Sequence, residues 1–426
     1  MAMKVLRLGS RGPQVQLLQL GLERAGYDPG NKDGVFGPRT RRALVQFQAE
    51  RGLMPDGVAG ARSHGALRPW YTGFTLHTVA RGDSLYRVAL RYGVSLRAVE
   101  AANPDVDPLN LRPGQRLTVP LGFDVVPTDI DYCSELVAFC CEGITARYPA
   151  VERQEIGRSV LGRPLWLLAL GEGEHRVFWN AAHHANEWIT VPLLLKAVED
   201  LARATSLDPS GGSRGQGLPE GTELAVAPCV NPDGMDLVTG DLDSGPAYAA
   251  AAEIASDFPA IPFPSGWKAN IRGVDLNLQY PAGWDQAREI KFAQGFDRPA
   301  PRDYVGEAPL TAPESLTLHH FTLGFSPDLT LSYHTQGQVI YWRFLDYDPP
   351  GAAEYARRFA AVSGYVAEET PYASGFAGYK DWFIQNYNRP GFTIEAGIGD
   401  NPLPISQFDR IYQDNFGLLL ASLVEL

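Results

Sequence analysis

The sequence runs to 426 residues, 45% hydrophobic and 20% charged, an ordinary globular balance with room for about two to four domains. Its formal net charge of −12 argues against a nucleic-acid partner, whose phosphates want a positive face, and against docking on an anionic membrane surface. No stretch approaches the ~20 uncharged apolar residues of a membrane span, and MAMKVLRLGSRGPQVQ lacks the apolar run of a secretory signal, so synthesis in the cytoplasm is expected.

Residues 4–68 are expected to form a small three-helix bundle. VQLLQLGLERAGY spaces apolar residues three and four apart and stops at Gly26. DGVFGPRTRRALVQFQAERGL repeats the idea, with Thr40 ahead of a helix that carries Leu44, Val45 and Phe47 on one face. PDGVAGARSHGAL gives a third turn and a short helix, where His64 reads as a packing residue. The stretches GSRGPQVQLLQLGL, DGVFGPRTRRALVQFQ and GLMPDGVAG resemble the peptidoglycan-binding domain of wall hydrolases.

RPWYTGFTL bridges to residues 75–121, which read strand, helix, helix, strand. Asp83 and Ser84 can start the first helix, Gly93 ends it and Ser95 caps the second. GDSLYRVALRYGVS, ANP and LRPGQRLTVP resemble the LysM module, a resemblance that implies binding of N-acetylglucosamine-containing glycans. His77 reads as structural. GFDVVPTDID reads as a second linker.

Over residues 129–426, apolar strand-like runs alternate with helical segments. SELVAFCCEGITARY, EWITVPLLLKAVEDLARA, AAEYARRFAAVSGYVAEE and SQFDRIYQDNFGLLLASLVEL read as helices, and ESLTLHHFTLGF is helix-like. RPLWLLALG, RVFWNAA, TELAVAPCV, LTLSYH, QVIYWRF and FTIEAG read as strands, and GSRGQGLPEG, FPAIPFPSG and RPAPRDY as surface loops. The alternation predicts an α/β sandwich with a buried, mixed sheet. Cys133, Cys140, Cys141 and Cys229 form no Cys-x-x-Cys pattern and are expected as buried thiols.

WNAAHHANEWIT, Trp179 to Thr190, straddles a strand and a helix. His184 and Glu187 are three positions apart and can share one side of the turn, and an imidazole with a carboxylate suits Zn²⁺. His183, closing the strand, reads as packed. By composition alone His319, His320 and His334 are all candidates for a third ligand. His175, in a GEGEH turn, needs no chemical role.

HHANEWIT resembles the zinc-binding junction of the zinc carboxypeptidase family. NPDG (Asn231–Gly234), GVDLN (Gly273–Asn277), LTLSYHTQG and GFTIEAG follow in that family's order. The resemblance implies an α/β/α catalytic domain with one zinc held by His184, Glu187 and His334, and Glu395 as general base and then acid. It also implies a cation for the oxyanion just before the GVDLN segment. That register falls on Lys268, with Arg272 the nearby alternative. The family grips a terminal carboxylate with an Asn-Arg pair; here Asn277 is followed by Leu278. Leucine cannot donate arginine's paired hydrogen bonds, so strict C-terminal exopeptidase action is not expected.

In TPYASGFAGYKDWF, Asp381 stands at the family's spacing ahead of Glu395, which puts Lys380 on the floor of the specificity pocket. There it would favour a side chain ending in carboxylate, unless it faces solvent. Tyr372 aligns with the family's mobile tyrosine if one residue is inserted after it. Taken whole, the chain resembles the γ-D-glutamyl-meso-diaminopimelate peptidases (endopeptidase I type). The resemblance implies a zinc metallopeptidase acting on peptidoglycan stem peptides, with peptidoglycan glycan and stem peptides as its partners, associated with the cell wall or sporulation, without membrane insertion or an obligate protein partner. A carboxypeptidase trimming wall peptides and a non-catalytic wall-binding protein are the alternatives.

Overall fold

Helices α1 (Pro13–Arg24), α2 (Pro38–Glu50) and α3 (Ala61–Thr72) fall where the apolar spacing puts them. Proline opens the first two, where its missing N–H costs nothing. A computed structural model describes residues 3–207 and 217–426. Val15, Leu18, Leu22, Leu44, Phe47 and Leu67 are buried between the helices. Each Asp-Gly turn is locked by a buried glutamine. Gln19 Nε2 donates to Asp33 (3.0 Å) while its Oε1 accepts from Gly34 N–H (3.1 Å); Gln48 does the same with Asp56 and Gly57 (2.9 Å each). His64 lies between Tyr71 Oη and Lys4 O, 3.1 Å from each, as a packing residue should.

Strands β1 (Phe74–Thr78) and β2 (Arg116–Pro120) pair antiparallel around α4 (Leu85–Tyr92) and α5 (Leu96–Ala101). Ser84 and Ser95 accept from Arg87 N–H (3.2 Å) and Ala98 N–H (3.1 Å), and Gly93 closes α4 at φ +66°. His77 is taken up by Asp83 at 2.9 Å and serves the module's structure.

The chain divides into two compact units: residues 1–131 with 135–153 and 198–218, and residues 132–134 with 154–197 and 219–426. The first unit holds both modules, most of helix α6 (Ser134–Arg147) and residue Glu199. Its GFDVVPTDID stretch is not a free linker, which corrects the sequence reading. Val125, Val126 and Ile130 are buried, and the Glu199 carboxylate accepts from Val125 N–H (2.7 Å) and Val126 N–H (3.0 Å). Two valines in a polar run are the apolar signal that a linker would lack. Tyr71 also packs on Phe139 of α6, ring centroids 5.3 Å apart.

Beyond α6 come β3 (Val151–Arg158), β4 (Pro164–Leu170), β5 (Gly173–Ala181), α7 (Thr190–Leu207) and β6 (Gly221–Ala227). Helices α8 (Pro232–Thr239), α9 (Gly245–Ser256), α10 (Trp284–Ala293) and α11 (Pro313–Phe325) follow. The chain closes with β7 (Leu329–His334), β8 (Val339–Tyr341), α12 (Ala352–Ser363), β9 (Val366–Glu368), α13 (Tyr379–Tyr387), β10 (Gly391–Glu395) and α14 (Phe408–Ser422). The strands form one eight-stranded sheet in the order β3-β4-β6-β5-β7-β10-β8-β9. Its centre, β6-β5-β7-β10, is parallel, whereas β4 and β8 run antiparallel to their inner neighbours. Every residue of β7 is buried, as expected of a central parallel strand covered on both faces.

Several boundaries differ from the reading. AAEYARRFAAVSGYVAEE is not one helix: Gly364, at φ +75°, ends α12, and Val366–Glu368 joins the sheet edge. QVIYWRF supplies only a three-residue strand, and α7 starts at Thr190 after a single 3₁₀ turn over Ala185–Glu187. The loop reading of GSRGQGLPEG falls in part on residues 212–216, which lie outside the described residues. All four cysteines are buried thiols.

Candidate metal centre

The carboxyl ends of three parallel strands deliver the site, where open α/β sheets place their ligands. After β5 the chain turns at Ala182, left-handed at φ +54°, into His183 and His184. β7 ends on His334 and β10 on Glu395, and these two residues are direct partners in the ladder. His184 Nδ1 lies 3.0 Å from Glu187 Oε1 and 3.1 Å from His334 Nδ1, and His334 Nδ1 lies 2.9 Å from Glu187 Oε2. Donors bound tetrahedrally to zinc at their usual lengths stand about 3.3 Å apart, so these three buried donors fit a single ion. They form a candidate cluster of metal-binding groups.

The proton on His184 is placed by its other nitrogen. Nε2 points at Asp275 Oδ1 (3.1 Å), which favours the Nε2–H tautomer and frees the Nδ1 lone pair for the ion. Asp275 also accepts from Asn277 N–H (3.2 Å) and Asp303 N–H (3.1 Å). Despite its burial, His184 and then Lys268 hold its carboxyl far below the usual range.

Burial alone would push His184 down, but the Glu187 carboxylate, aided by Asp275, lifts it to about 9. Glu395 is pushed up to about 8 by burial and then by Glu187, against Lys268 and His184. At neutral pH the carboxyl is therefore mostly protonated in the metal-free site, and added positive charge at the ligand cluster would favour its ionised form. Lys268 Nζ sits 3.2 Å from Glu187 Oε1, where it meets the charge of the site directly.

His184, Lys268, Asn277, His334, Lys380 and Glu395 line one cleft. Arg272, the alternative to Lys268, is exposed and outside that lining; its N–H is bonded to Asn270 Oδ1 (3.0 Å). Arg302 and Lys291 line the cleft as further cations. Asn277 gives its carbonyl oxygen to Tyr379 N–H (3.0 Å), which leaves its amide hydrogens to offer. Lys380 is buried at 3% exposure, which removes the solvent-facing alternative. Its Nζ lies 2.6 Å from Arg343 O and 2.5 Å from Asp381 Oδ1. Tyr372 is 68% exposed, its ring edge-on to Phe376, beside the cleft-lining Pro371 and Ser374.

His183 is bonded to Tyr280 Oη (3.0 Å) and stacked on His334 at 5.8 Å; burial holds it neutral. His319 packs on Trp382, ring centroids 4.5 Å apart, and His320 lies beside it on α11; neither belongs to the ligand cluster. His175 reaches Ser422 O at 3.4 Å. The sequence reading assigned no role to Asp275, Lys291, Arg302 or Asp303. Asp275 sits inside the quoted GVDLN motif, a signal that was there to use; Arg302 lies in a proline-rich loop with none.

Residues 138–417 match the family model for zinc carboxypeptidases. The chain belongs to the zinc carboxypeptidase family. Residues 11–67 match the peptidoglycan binding domain and residues 77–120 the LysM domain. This zinc carboxypeptidase relative is 45% identical over 280 residues to gamma-D-glutamyl-L-diamino acid endopeptidase 1 of Lysinibacillus sphaericus, covering 65% of this chain and 68% of that protein. It is 40% identical over 280 residues to the uncharacterized protein YqgT of Bacillus subtilis (strain 168), covering 65% and 73%. Bovine thrombin-activatable fibrinolysis inhibitor, solved with tick carboxypeptidase inhibitor, shares the fold at a TM-score of 0.53 and 18% identity, over 69% of this chain and 96% of that one. The protein is thus a zinc metallopeptidase of this family joined to cell-wall-binding modules. No helix among the described residues is long and apolar enough to cross a membrane.

Proposed function

We propose that this zinc metallopeptidase hydrolyses the γ-D-glutamyl–meso-diaminopimelate bond of peptidoglycan stem peptides. The observation that carries the reading is a complete donor set beside Glu395 in a cleft whose terminal-carboxylate arginine is replaced by Leu278. The printed activity of the Lysinibacillus relative and the two wall-binding modules support the choice of substrate.

His184, Glu187 and His334 are the residues that would hold the ion. Zinc bound there lowers the pKa of its water toward ~7 and polarises a carbonyl. Glu395 takes the attacking water's proton and hands it to the departing amine of the diamino acid. Lys268, already against the ligand set, stabilises the oxygen that gains charge. Asn277 donates its amide to the amine-side residue. The far end of diaminopimelate bears a carboxylate and an ammonium group, which suit the paired Lys380 and Asp381. Tyr372, on the rim, can cover the bound peptide.

Residues 4–68 and 75–121 would grip the glycan while residues 129–426 cut, so that tethering raises local substrate concentration. Association with the cell wall follows from the modules; synthesis in the cytoplasm and action during sporulation belong to the same proposal. Mass spectrometry of digested diaminopimelate-type muropeptides tests it. Release of L-Ala-D-Glu is expected, with none from a zinc-replete Glu395→Gln control. Loss of a terminal residue alone would make it a carboxypeptidase, and no hydrolysis by zinc-loaded protein would leave only wall binding.

A further inference from the structure

Two sets of charged side chains line the cleft, joined to the fold by different bonds. One is Lys380 with Asp381, whose Oδ2 accepts from Gly378 N–H (3.2 Å), next to the Tyr379 N–H that Asn277 holds. The other is Arg302 with Asp303 and Lys291, tied to the metal ligands through Asp275.

The second set is built with care. Asp303 Oδ2 accepts from Arg302 Nε at 2.5 Å, and its Oδ1 meets Lys291 Nζ at 2.7 Å. Its backbone stands in the left-handed region at φ +64°, a strained conformation for a residue with a side chain. That conformation lets one residue donate its N–H to Asp275 while its carboxylate holds the arginine. Only the Nε edge of Arg302 is engaged. Its terminal N–H groups meet no acceptor among the described residues, and the side chain is 44% exposed in the cleft. A guanidinium fixed along one edge with the rest open is ready to receive a carboxylate from outside.

Which carboxylate follows from the bond. A glutamyl residue linked through its γ-carbonyl keeps its α-carboxylate, a few carbons from the scissile carbonyl on the acyl side. Lys380 already serves the diamino acid on the amine side. Lys268, the cation beside the developing oxyanion, is held next to Arg302 by its N–H bond to Pro301 O (2.7 Å), and that oxyanion belongs to the glutamyl half. We infer that Arg302 binds the free α-carboxylate of the γ-linked glutamyl residue and so makes the enzyme select glutamate over its α-amide. The inference rests on the γ-glutamyl reading above.

The test uses the full-length zinc enzyme with L-alanyl-γ-D-glutamyl-meso-diaminopimelate and the same tripeptide carrying an α-carboxamide. Wild type should favour the carboxylate about 10- to 100-fold in kcat/KM, as a charge-assisted hydrogen-bond pair warrants. Arg302→Gln should bring that ratio near one by losing activity on the carboxylate alone, with zinc content unchanged. Arg302→Lys should recover part of the preference. Equal rates on both substrates in wild type, or equal losses on both in Arg302→Gln, would overturn the inference while leaving the γ-glutamyl activity standing. Hydrolysis of neither by zinc-loaded wild type would overturn both.

Discussion

His184 is the residue where metal and proton compete. In the metal-free protein it holds a proton up to about pH 9, since Glu187 outweighs burial. A zinc ligand must be neutral, so binding has to expel that proton. The sign is fixed: below about pH 9 the protonated form wins a larger share as pH falls, and zinc affinity should rise roughly tenfold per pH unit up to that point. Glu395 titrates nearby at about 8, so Glu395→Gln removes it from the proton count. Titration calorimetry of that variant in two buffers of different ionisation heat should give about one proton released per zinc at about pH 6, where zinc-bound water with a pKa near ~7 keeps its own proton. No release would take His184 out of the ligand set. The ligands are legible in the sequence because two share one turn and the third ends an apolar strand. Arg302 is not, because RPAPRDY carries neither period nor motif, and bonds from distant residues such as Asp275 and Lys268 bring it to the cleft.

Elements with a covered interior are the readable ones. β5, β7 and β10 carry short apolar stretches, VFW in β5 among them, because their buried segments are covered on both faces. β3 went unread because VERQEIGR is an edge strand whose Glu152–Glu155 segment is exposed, so charge hides the strand. α13 went unread for the opposite reason: its buried residues include Lys380 and Asp381, which periodicity scores as surface. Contact between helices leaves an equally specific mark. Gly143 of α6 lies so close to α3 that a methyl group there would overlap the Thr72 carbonyl oxygen. Gly143→Ala should cost about 1–3 kcal/mol, the usual penalty of overpacking, and lower the melting temperature of the first unit by about 2–10 °C. Calorimetry with zinc analysis checks it: an unchanged melt would deny the contact, and lost zinc would mean the damage is not local.

At the scale of the molecule, two glycan grips and one hydrolase share a chain, and their boundaries are only partly visible in composition. Because α3 packs on α6, removing residues 1–121 would also uncover that helix; excess soluble glycan, which leaves the fold intact, should spare turnover of small soluble peptides while reducing hydrolysis of intact wall, since tethering acts through local concentration. The stretch after residue 121 is where composition misleads. Glu199 is buried, and burial lifts its carboxyl above the ordinary range even with two backbone N–H donors in place. A fragment beginning at Asp129 strips those donors away, whereas one beginning at Gly122 keeps them. The shorter fragment should be the less stable by about 1–3 kcal/mol for each donor lost, and urea unfolding of the two side by side measures the difference; equal midpoints would mean the clamp contributes nothing. Anyone transplanting this enzyme onto a foreign anchor would therefore need to carry the Gly122–Thr128 segment with it. What reads as a hyphen between modules is bonded into helix α7.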